Sequence, residues 1–262
     1  MLTEGENRKL TFFVSDVHLG LKNGDKKALE RRFLDFLDSL PSNTETLYLL
    51  GDIFDFWYEY KYVIPRGFTR VLGSLARIVD RGVKVYFIRG NHDIWTYSYL
   101  QEELGIEVLN QPLDVEISGK KFHLGHGHGL GYSPFMFRFM SAGFNNRFIQ
   151  MIFSAIHPRW ALAAGYSWSG HSRASKSASD AERYRFKGKD EPIYKYSLVQ
   201  DTRELDASGR AYDYFIYGHF HQMVLEYLPS GAQMYIMGHW CDKCDFLVFD
   251  GEELRRMYLK YE

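Results

Sequence analysis

The chain has 262 residues, 45% of them hydrophobic and 17% aromatic, and its formal net charge is −1. The hydrophobic fraction is ordinary for a folded protein, and the length suits one large α/β domain or one domain with an insert. The near-zero charge excludes a global field that would attract nucleic acid, and neither a signal peptide nor a membrane-spanning apolar run is evident. We therefore expect a cytoplasmic protein that binds no nucleic acid.

The first part of the chain alternates predicted strands and helices. Three short apolar runs are typical of buried strands: residues 10–14, 46–50 and 83–88. Apolar residues at helical spacing cover 26–39 and about 66–81. This alternation predicts βαβ units and a parallel portion of sheet.

The C-terminal part has the pattern of hairpins instead. Three pairs of apolar runs flank the turns Ser-Gly-Lys, Pro-Ser-Gly and Asp-Gly-Glu, and they cover residues 115–124, 224–237 and 246–258. A sandwich of two sheets with helices outside accounts for both parts of the chain.

Residues 129–205 have a helical pattern, and we interpret them as an insert into a core made of 1–128 and 206–262. Residues 134–156 are rich in Phe and Met, and their apolar surface is too wide for a helix with one face on a core. A run that contains several basic residues follows this stretch. The alternative is a pair of apolar helices packed on the sheet, with solvated basic residues.

Five short polar motifs follow predicted strands. They are Asp16-x-His18, Gly51-Asp52-x-x-Asp55, Gly90-Asn91-His92-Asp93, Gly125-His126-Gly127-His128 and Gly218-His219-x-His221. In α/β sheets the carboxyl ends of the strands are where ligands bind. Any one motif could arise by chance, but five behind strands predict one shared site.

The ligand types in these motifs indicate divalent metal ions. Carboxylate, amide and imidazole groups without thiolate suit Mn²⁺, Fe²⁺ or Zn²⁺. Seven candidate ligands exceed the need of one ion, whereas a bridging Asp52 would give each of two ions four protein ligands. Two ions about 3.5–4 Å apart can hold the attacking water and the phosphoryl oxygens of a displacement. By position alone, His126 and His128 are equal candidates.

These motifs resemble the signature of the calcineurin-like metallophosphoesterase superfamily. The resemblance implies a four-layer α/β/β/α sandwich of two mixed sheets with a helical insert as a lid. It implies a first metal site made of Asp16, His18, Asp52 and His221. It implies a second site made of Asp52, Asn91, His126 and His219, and it favours His126 over His128.

The same resemblance implies roles for the residues beside the ligands. His92 is expected to contact the scissile phosphate and to protonate the leaving oxygen. Asp93 is expected to orient His92, and Asp55 to support the metal ligands. Four histidines have no motif context and are expected to be structural or surface residues: His123, His157, His171 and His239.

Within the superfamily, the chain is similar to the UDP-2,3-diacylglucosamine diphosphatases of bacterial lipid A biosynthesis. The likeness lies in its length, the motif spacing, the segment 51–57 (Gly-Asp-Ile-Phe-Asp-Phe-Trp) and the insert. It implies cleavage of a pyrophosphate to UMP and 2,3-diacylglucosamine 1-phosphate (lipid X) by a hydroxide that bridges two divalent ions. We expect Mn²⁺, with Fe²⁺ or Zn²⁺ as alternatives. The chain departs from that family at His92, where the better-known members carry Arg.

A diacylated nucleotide sugar would need an apolar cavity and cations. Phe137 and Phe144 are the candidates for lining the cavity, and Arg173 and Lys176 for pairing with the diphosphate, beside Asn91 at the metal centre. An exposed aromatic surface on the insert could also contact the cytoplasmic face of the inner membrane. We predict no obligate protein partner.

Several alternatives stay open. Another hydrolase of this superfamily could act on phosphomonoesters, cyclic nucleotides or dinucleoside polyphosphates, but it would need no Phe/Met-lined cavity. A DNA exonuclease is disfavoured by the charge, and an inactive scaffold by the complete ligand set. Cys241 and Cys244 form a single C-x2-C, which we interpret as two reduced thiols near a strand.

Overall fold

The computed structural model describes residues 8–21, 25–131, 146–174, 186–241 and 243–259, with the backbone alone at 147, 149 and 168–174. The strands are β1 Leu10–Val14, β2 Thr44–Leu49, β3 Lys84–Ile88, β4 Glu107–Leu109, β5 Leu113–Ile117, β6 Lys120–Leu124, β7 Tyr214–Tyr217, β8 Val224–Tyr227, β9 Gln233–Ile236, β10 Asp245–Phe249 and β11 Leu254–Tyr258. The helices are α1 Lys26–Asp38, α2 Thr69–Asp80, α3 Tyr99–Leu104, α4 Arg147–Ala155, α5 Pro158–Ala174 and α6 Pro192–Ser208, with a 3₁₀ turn at Gly188–Asp190.

The strands form two mixed sheets. The first has the order β11-β10-β1-β2-β3-β4, in which β1 to β4 are parallel and β10 is antiparallel to both of its neighbours. The second has the order β5-β6-β7-β9-β8, in which β6, β7 and β9 are parallel. The predicted hairpins are confirmed as the antiparallel pairs β5–β6, β8–β9 and β10–β11.

An apolar layer fills the space between the sheets. Phe13 on β1 stacks on Tyr48 of β2 with ring centroids 5.3 Å apart, and on Phe122 of β6 in the second sheet at 5.7 Å. Such aromatic side chains each bury a large apolar area in offset stacks, which fixes the two sheets against each other. The strand ends therefore belong to one rigid platform.

Helices cover the outer faces of both sheets. Leu29, Phe33, Phe36 and Leu37 of α1 are buried in the cluster that covers the first sheet, as the helical spacing predicts. Ile193 of α6 is buried in the cluster on the second sheet. The layers run α/β/β/α, so the predicted four-layer sandwich is confirmed. Within the described residues, no helix is long and apolar enough to cross a membrane.

The predicted elements differ from the structure mainly at their boundaries. Helix α2 begins at Thr69 rather than near residue 66, because Gly67 has a φ of 104°, which no right-handed helix accommodates. The short α3 and β4 were not predicted. The insert 129–205 stays a prediction; within it, α6 packs on the second sheet.

Candidate metal centre

The five motifs meet where strand ends of both sheets come together. Asp16 follows β1, Asp52 follows β2, and His219 follows β7 of the second sheet. The backbone N–H of Asp16 donates to the Gly51 carbonyl (3.2 Å), and that of His219 donates to the Asp16 carboxylate (3.0 Å to Oδ2). The second of these hydrogen bonds joins the two sheets directly at the site.

The backbone leaves these strands in the left-handed conformation. Five motif residues other than glycine have positive φ values: Asp16 (55°), His18 (52°), Asp52 (52°), His219 (71°) and His221 (56°). Left-handed backbone is uncommon for residues with a Cβ, although Asp and His tolerate it better than most. Its concentration here indicates a site where surrounding structure enforces a strained geometry.

Motif glycines let the strand ends approach closely. A Cβ on Gly90 would lie 2.2 Å from Oδ1 of Asp52, and one on Gly218 would lie 2.0 Å from Oγ of Ser15. Because neither contact is possible, these positions accept only glycine without displacement. Ser15, which the sequence analysis missed, donates from its Oγ to the Asp16 carboxylate at 2.6 Å.

The first group of candidate ligands surrounds one point. Its ligand atoms lie within 4.8 Å of one another and belong to Asp16, His18, Asp52 and His221. Nε2 of His18 is 3.2 Å from Nε2 of His221, which is 3.3 Å from Oδ1 of Asp16. Nδ1 of His18 lies 3.5 Å from the Asp55 carboxylate, so Asp55 stands behind a candidate ligand.

The second group shares Asp52 with the first. It contains Asp52, His126 and His219, and Nε2 of His126 lies 3.2 Å from both Oδ2 of Asp52 and Oδ1 of Asn91. Nδ1 of His126 faces the Leu50 carbonyl at 3.0 Å and can only donate to it. Nε2 of the neutral ring therefore presents a lone pair to two oxygen atoms, an arrangement that favours a cation between them.

The electrostatics at Asp52 also favour positive charge. Burial acts to raise the pKa of Asp52, but the charges of His126 and His92 outweigh it and hold the pKa well below its usual range. Burial likewise acts to lower the pKa of His126, but the Asp52 carboxylate outweighs it and raises the pKa to about 9. The Asp52 carboxylate thus favours positive charge at Nε2 of His126, which either a proton or a metal ion can supply. The donor set fits two divalent cations around one carboxylate.

His128 does not join either group. Its Nδ1 is hydrogen-bonded to Nε2 of Gln111 at 2.9 Å, and the same amide nitrogen donates to the His128 carbonyl. Burial, followed by the charge of His126, lowers the pKa of His128 to about 3. The geometry therefore places His126, not His128, among the candidate ligands.

His92 lies beside both groups of candidate ligands but is a member of neither. Its Nδ1 donates to the Asp55 carbonyl (2.8 Å), its backbone N–H donates to Oδ1 of Asp52 (2.9 Å), and its Nε2 lies 3.9 Å from Oδ2 of Asp52. The side chain is 14% exposed. Nε2 is thus held at the edge of the centre, where a substrate can reach it.

The expected role of Asp93 is corrected. Its carboxylate accepts backbone N–H groups from Gly90 (2.8 Å), Ile53 (2.8 Å), Asp52 (3.2 Å) and Phe54 (3.3 Å). The oxygen that orients His92 is instead the Asp55 carbonyl. Asp93 therefore ties the Asp52 loop to the Asn91 loop by accepting backbone hydrogen bonds from both.

His239 is a second correction. Its ring lies 4.8 Å from that of His221 and 5.1 Å from that of His18, and a nitrogen of each lies within 4.8 Å of the others. The expectation of a surface or purely structural position is not met. A signal was present: Gly238-His239 follows the strand β9 just as Gly125-His126 and Gly218-His219 follow theirs.

Helices α4 and α5 pack on the segment 51–57 and on the residues that follow it. Tyr166 of α5 contacts Phe56 with ring centroids 5.7 Å apart, and Phe153 of α4 contacts Tyr58 at 4.7 Å. The outer side of these helices exposes apolar side chains: Phe148, Met151, Ile152 and Trp160. Three predicted substrate residues lie outside the described residues: Phe137, Phe144 and Lys176. Arg173 lies in α5, with its side chain outside them.

The chain belongs to the calcineurin-like phosphoesterase family, whose model matches residues 10–223. It is therefore a hydrolase of phosphate esters, and its two groups of candidate ligands could hold the dimetal centre that the family uses. A UDP-2,3-diacylglucosamine hydrolase from Porphyromonas gingivalis is 35% identical over 94% of this chain and 96% of its own. Another so named, from Stenotrophomonas maltophilia, is 26% identical over 92% of this chain and 94% of its own. An archaeal phosphodiesterase structure covers 95% of this chain and 99% of its own, with 16% identity and a TM-score of 0.45.

Proposed function

We propose that this protein hydrolyses the pyrophosphate of UDP-2,3-diacylglucosamine to UMP and 2,3-diacylglucosamine 1-phosphate. The main support for the proposed reaction is that the Asp52 carboxylate belongs to both groups of candidate ligands. The substrate is supported by relatives of that printed function that match nearly the whole chain. Two divalent ions, when bound, would supply Lewis-acid activation of water and neutralise the phosphoryl oxygens.

The protein's own residues would hold these ions in two sets. Asp16, His18, Asp52 and His221 would form one set, and Asp52, Asn91, His126 and His219 the other. The carboxylate and imidazole mixture is compatible with Mn²⁺, which we propose as the native ion, with Fe²⁺ or Zn²⁺ as alternatives. Asp93 and the motif glycines keep the two loops at the distances that these sets require.

His92 is placed to serve the leaving group. In the proposed reaction a water oxygen bonds to the α-phosphorus, and the bond to the bridging oxygen breaks. That oxygen leaves with the sugar 1-phosphate and gains negative charge. Because Nδ1 of His92 donates to the Asp55 carbonyl, a second proton on the ring resides on Nε2, which faces the centre. His92 would donate that hydrogen to the departing oxygen, as a general acid.

The insert would receive the acyl chains. The exposed apolar side chains on α4 and α5 form a surface where lipid chains or a membrane interface could be contacted. We therefore propose a peripheral association with the cytoplasmic face of the inner membrane during turnover. Phe137, Phe144, Arg173 and Lys176 stay candidates for substrate contact.

A hydrolysis panel tests the proposed substrate. The Mn²⁺-loaded protein should hydrolyse UDP-2,3-diacylglucosamine with a higher kcat/KM than soluble phosphodiesters or phosphomonoesters. In ¹⁸O-labelled water the label should enter UMP and not the lipid 1-phosphate, because the attack is on the α-phosphorus. A preference for soluble esters, or label in the lipid product, would contradict the proposal.

Asp52→Ala tests the shared carboxylate. Turnover should be abolished and elemental analysis should show fewer than two ions per chain, while circular dichroism stays that of a folded protein. Asp38→Ala is the matched control, since Asp38 is an exposed carboxylate paired with Arg77. Two ions and full activity in the Asp52 variant would refute the bridging role.

A further inference from the structure

His128 is held beside the second group of candidate ligands without belonging to it. Its ring lies 5.3 Å from the ring of His126 and 6.3 Å from the ring of His219. Besides burial, the charges of His126, Asp52 and His92 act on this ring. His128 therefore lies at the edge of the centre, on a part of the chain that the phosphoryl chemistry described above does not use.

Gln111 fixes the orientation of the His128 ring. The backbone N–H of Gly127 donates to Oε1 of Gln111 at 2.8 Å. The amide nitrogen of Gln111 donates to the His128 carbonyl at 2.7 Å and lies 2.9 Å from Nδ1 of the ring. Because a backbone N–H can only donate, the atom that faces Gly127 is the amide oxygen, and the atom that faces His128 is the amide nitrogen.

This amide also sets the tautomer of His128. An amide nitrogen donates and cannot accept, so Nδ1 of His128 is the acceptor and the neutral ring carries its hydrogen on Nε2. His126 has the opposite arrangement, because its Nδ1 faces the Leu50 carbonyl and its Nε2 offers a lone pair. A nitrogen that carries hydrogen cannot give its lone pair to a metal. His128 is therefore suited to bind an oxygen atom rather than a cation.

Nε2 of His128 keeps accessible surface. The residue is partly exposed, and among the described residues the hydrogen bond of its ring is the one that Gln111 donates to Nδ1. Nε2 is not one of the buried nitrogen and oxygen atoms that lack a partner. An anion bound at the centre can thus reach this N–H group, and a charged oxygen is the acceptor that makes the stronger hydrogen bond.

We propose that His128 donates from Nε2 to a phosphoryl oxygen of the substrate, as a phosphate-binding residue beside the second group of candidate ligands. The inference rests on the proposed phosphoesterase function and adds a contact to it. Gln111 is the positioning residue, because its amide holds both the backbone and the ring of His128. The ligand class that this contact recognises is a phosphate ester or a phosphate anion.

Two substitutions separate phosphate binding from a local structural role. His128→Gln places an amide N–H donor near the position of Nε2 and loses the acceptor at Nδ1. His128→Asn keeps an acceptor near the position of Nδ1 and loses the donor at Nε2. The Kd of inorganic phosphate for the Mn²⁺-loaded full chain is measured by calorimetry, and the bound metal by elemental analysis.

The proposal expects two ions per chain in both variants. Phosphate should bind at least about tenfold more weakly to His128→Asn, which loses a hydrogen bond to a charged group, and within about threefold of the unsubstituted protein to His128→Gln. The reverse order would assign the ring to the Gln111 contact alone. Loss of an ion would make His128 a ligand, and equal binding by both variants would show that a donor at Nε2 does not matter. Each of these three results overturns the proposal.

The tautomer is measured separately, by ¹⁵N NMR of the histidine rings in the Zn²⁺-loaded protein, because Zn²⁺ is diamagnetic. The signals of His128 are identified by their absence from the spectrum of His128→Asn. We expect hydrogen on Nε2 and none on Nδ1. Hydrogen on Nδ1 would leave a lone pair on Nε2 and would overturn the proposal.

A matched control is present elsewhere in the chain. Nδ1 of His157 also accepts a local hydrogen bond, from the backbone N–H of Arg159 at 3.2 Å on an exposed surface. His157→Asn should leave the Kd of phosphate unchanged. If the unsubstituted protein binds fewer than two ions, the proposed dimetal function fails; if it binds two and only the His128 pattern fails, the present inference alone is wrong.

Discussion

At the candidate metal centre, three histidines differ in the group that faces the Nδ1 atom. A carbonyl oxygen holds Nδ1 of His126 and of His92, and a backbone N–H holds Nδ1 of His239. The first arrangement leaves Nε2 with a lone pair, which suits a cation or, after protonation, an acid. The second leaves it with a hydrogen. Similar rings a few ångströms apart can therefore do different chemistry.

His92→Ala should lower kcat while the bound metal stays unchanged. Because Nε2 of His92 is placed to protonate the departing oxygen, the loss should be about 10²–10⁴-fold for the diphosphate substrate. The loss should shrink for an ester whose leaving group is a stable anion, such as p-nitrophenolate. Rates on both substrates, with elemental analysis of each sample, check this. Equal losses on both would show that His92 does not act as the acid.

The sequence was sufficient to predict that the motif residues lie together at strand ends. It was insufficient to predict which groups the neighbouring side chains contact. Asp16, Asp52 and His219 were predicted because each follows an apolar run that forms a strand. The role of Asp93 was not predictable, because a carboxylate beside His92 could equally accept from the neighbouring loop, as it does. Whether His92 or the neighbouring loop lies closer to the Asp93 carboxylate depends on the backbone turns. The spacing of residues in the motif does not specify those turns.

At the scale of elements, strand order explains why His239 was missed. The sequence predicts the hairpin of β8 and β9, but it does not show that β9 also lies beside β7. In the structure β7 and β9 are parallel, with Tyr217 opposite Ile236. Their carboxyl ends therefore meet, and His239 comes to lie beside His221. A long-range parallel pairing of this kind leaves no local pattern in the sequence.

Two helix glycines should respond oppositely to alanine. A Cβ on Gly165 in α5 would lie 2.2 Å from the ring of Phe56, whereas one on Gly73 in α2 would meet nothing within 4 Å. Gly73→Ala should stabilise the protein by about 0.5–1 kcal/mol, since alanine favours the helix. Gly165→Ala should destabilise it by about 1–3 kcal/mol, because α5 must move away from the segment 51–57. Urea unfolding measures both; stabilisation in both variants would contradict the packing of α5.

At the scale of the whole molecule, the candidate metal centre lies where two sheets with large apolar cores meet. The stacked aromatic layer around Phe13 and the α1 cluster around Phe33 contain no candidate ligand. The composition and the alternation of elements predicted this sandwich, because apolar periodicity reports burial directly. The centre lies at the junction of the sheets, so its geometry depends on the whole fold.

Metal removal should consequently lower the stability of the entire molecule without unfolding it. Without cations, only a proton on Nε2 of His126 is left to face the oxygens of Asp52 and Asn91, and five left-handed residues remain strained. Each ion at about 100 times its Kd would add roughly 3 kcal/mol, or roughly 6–12 °C in Tm for a domain of this size. Differential scanning calorimetry with EDTA and with added Mn²⁺ measures the shift. It should be smaller in Asp52→Ala, which lacks the shared carboxylate, and equal shifts in both proteins would mean that the stabilising ions bind elsewhere.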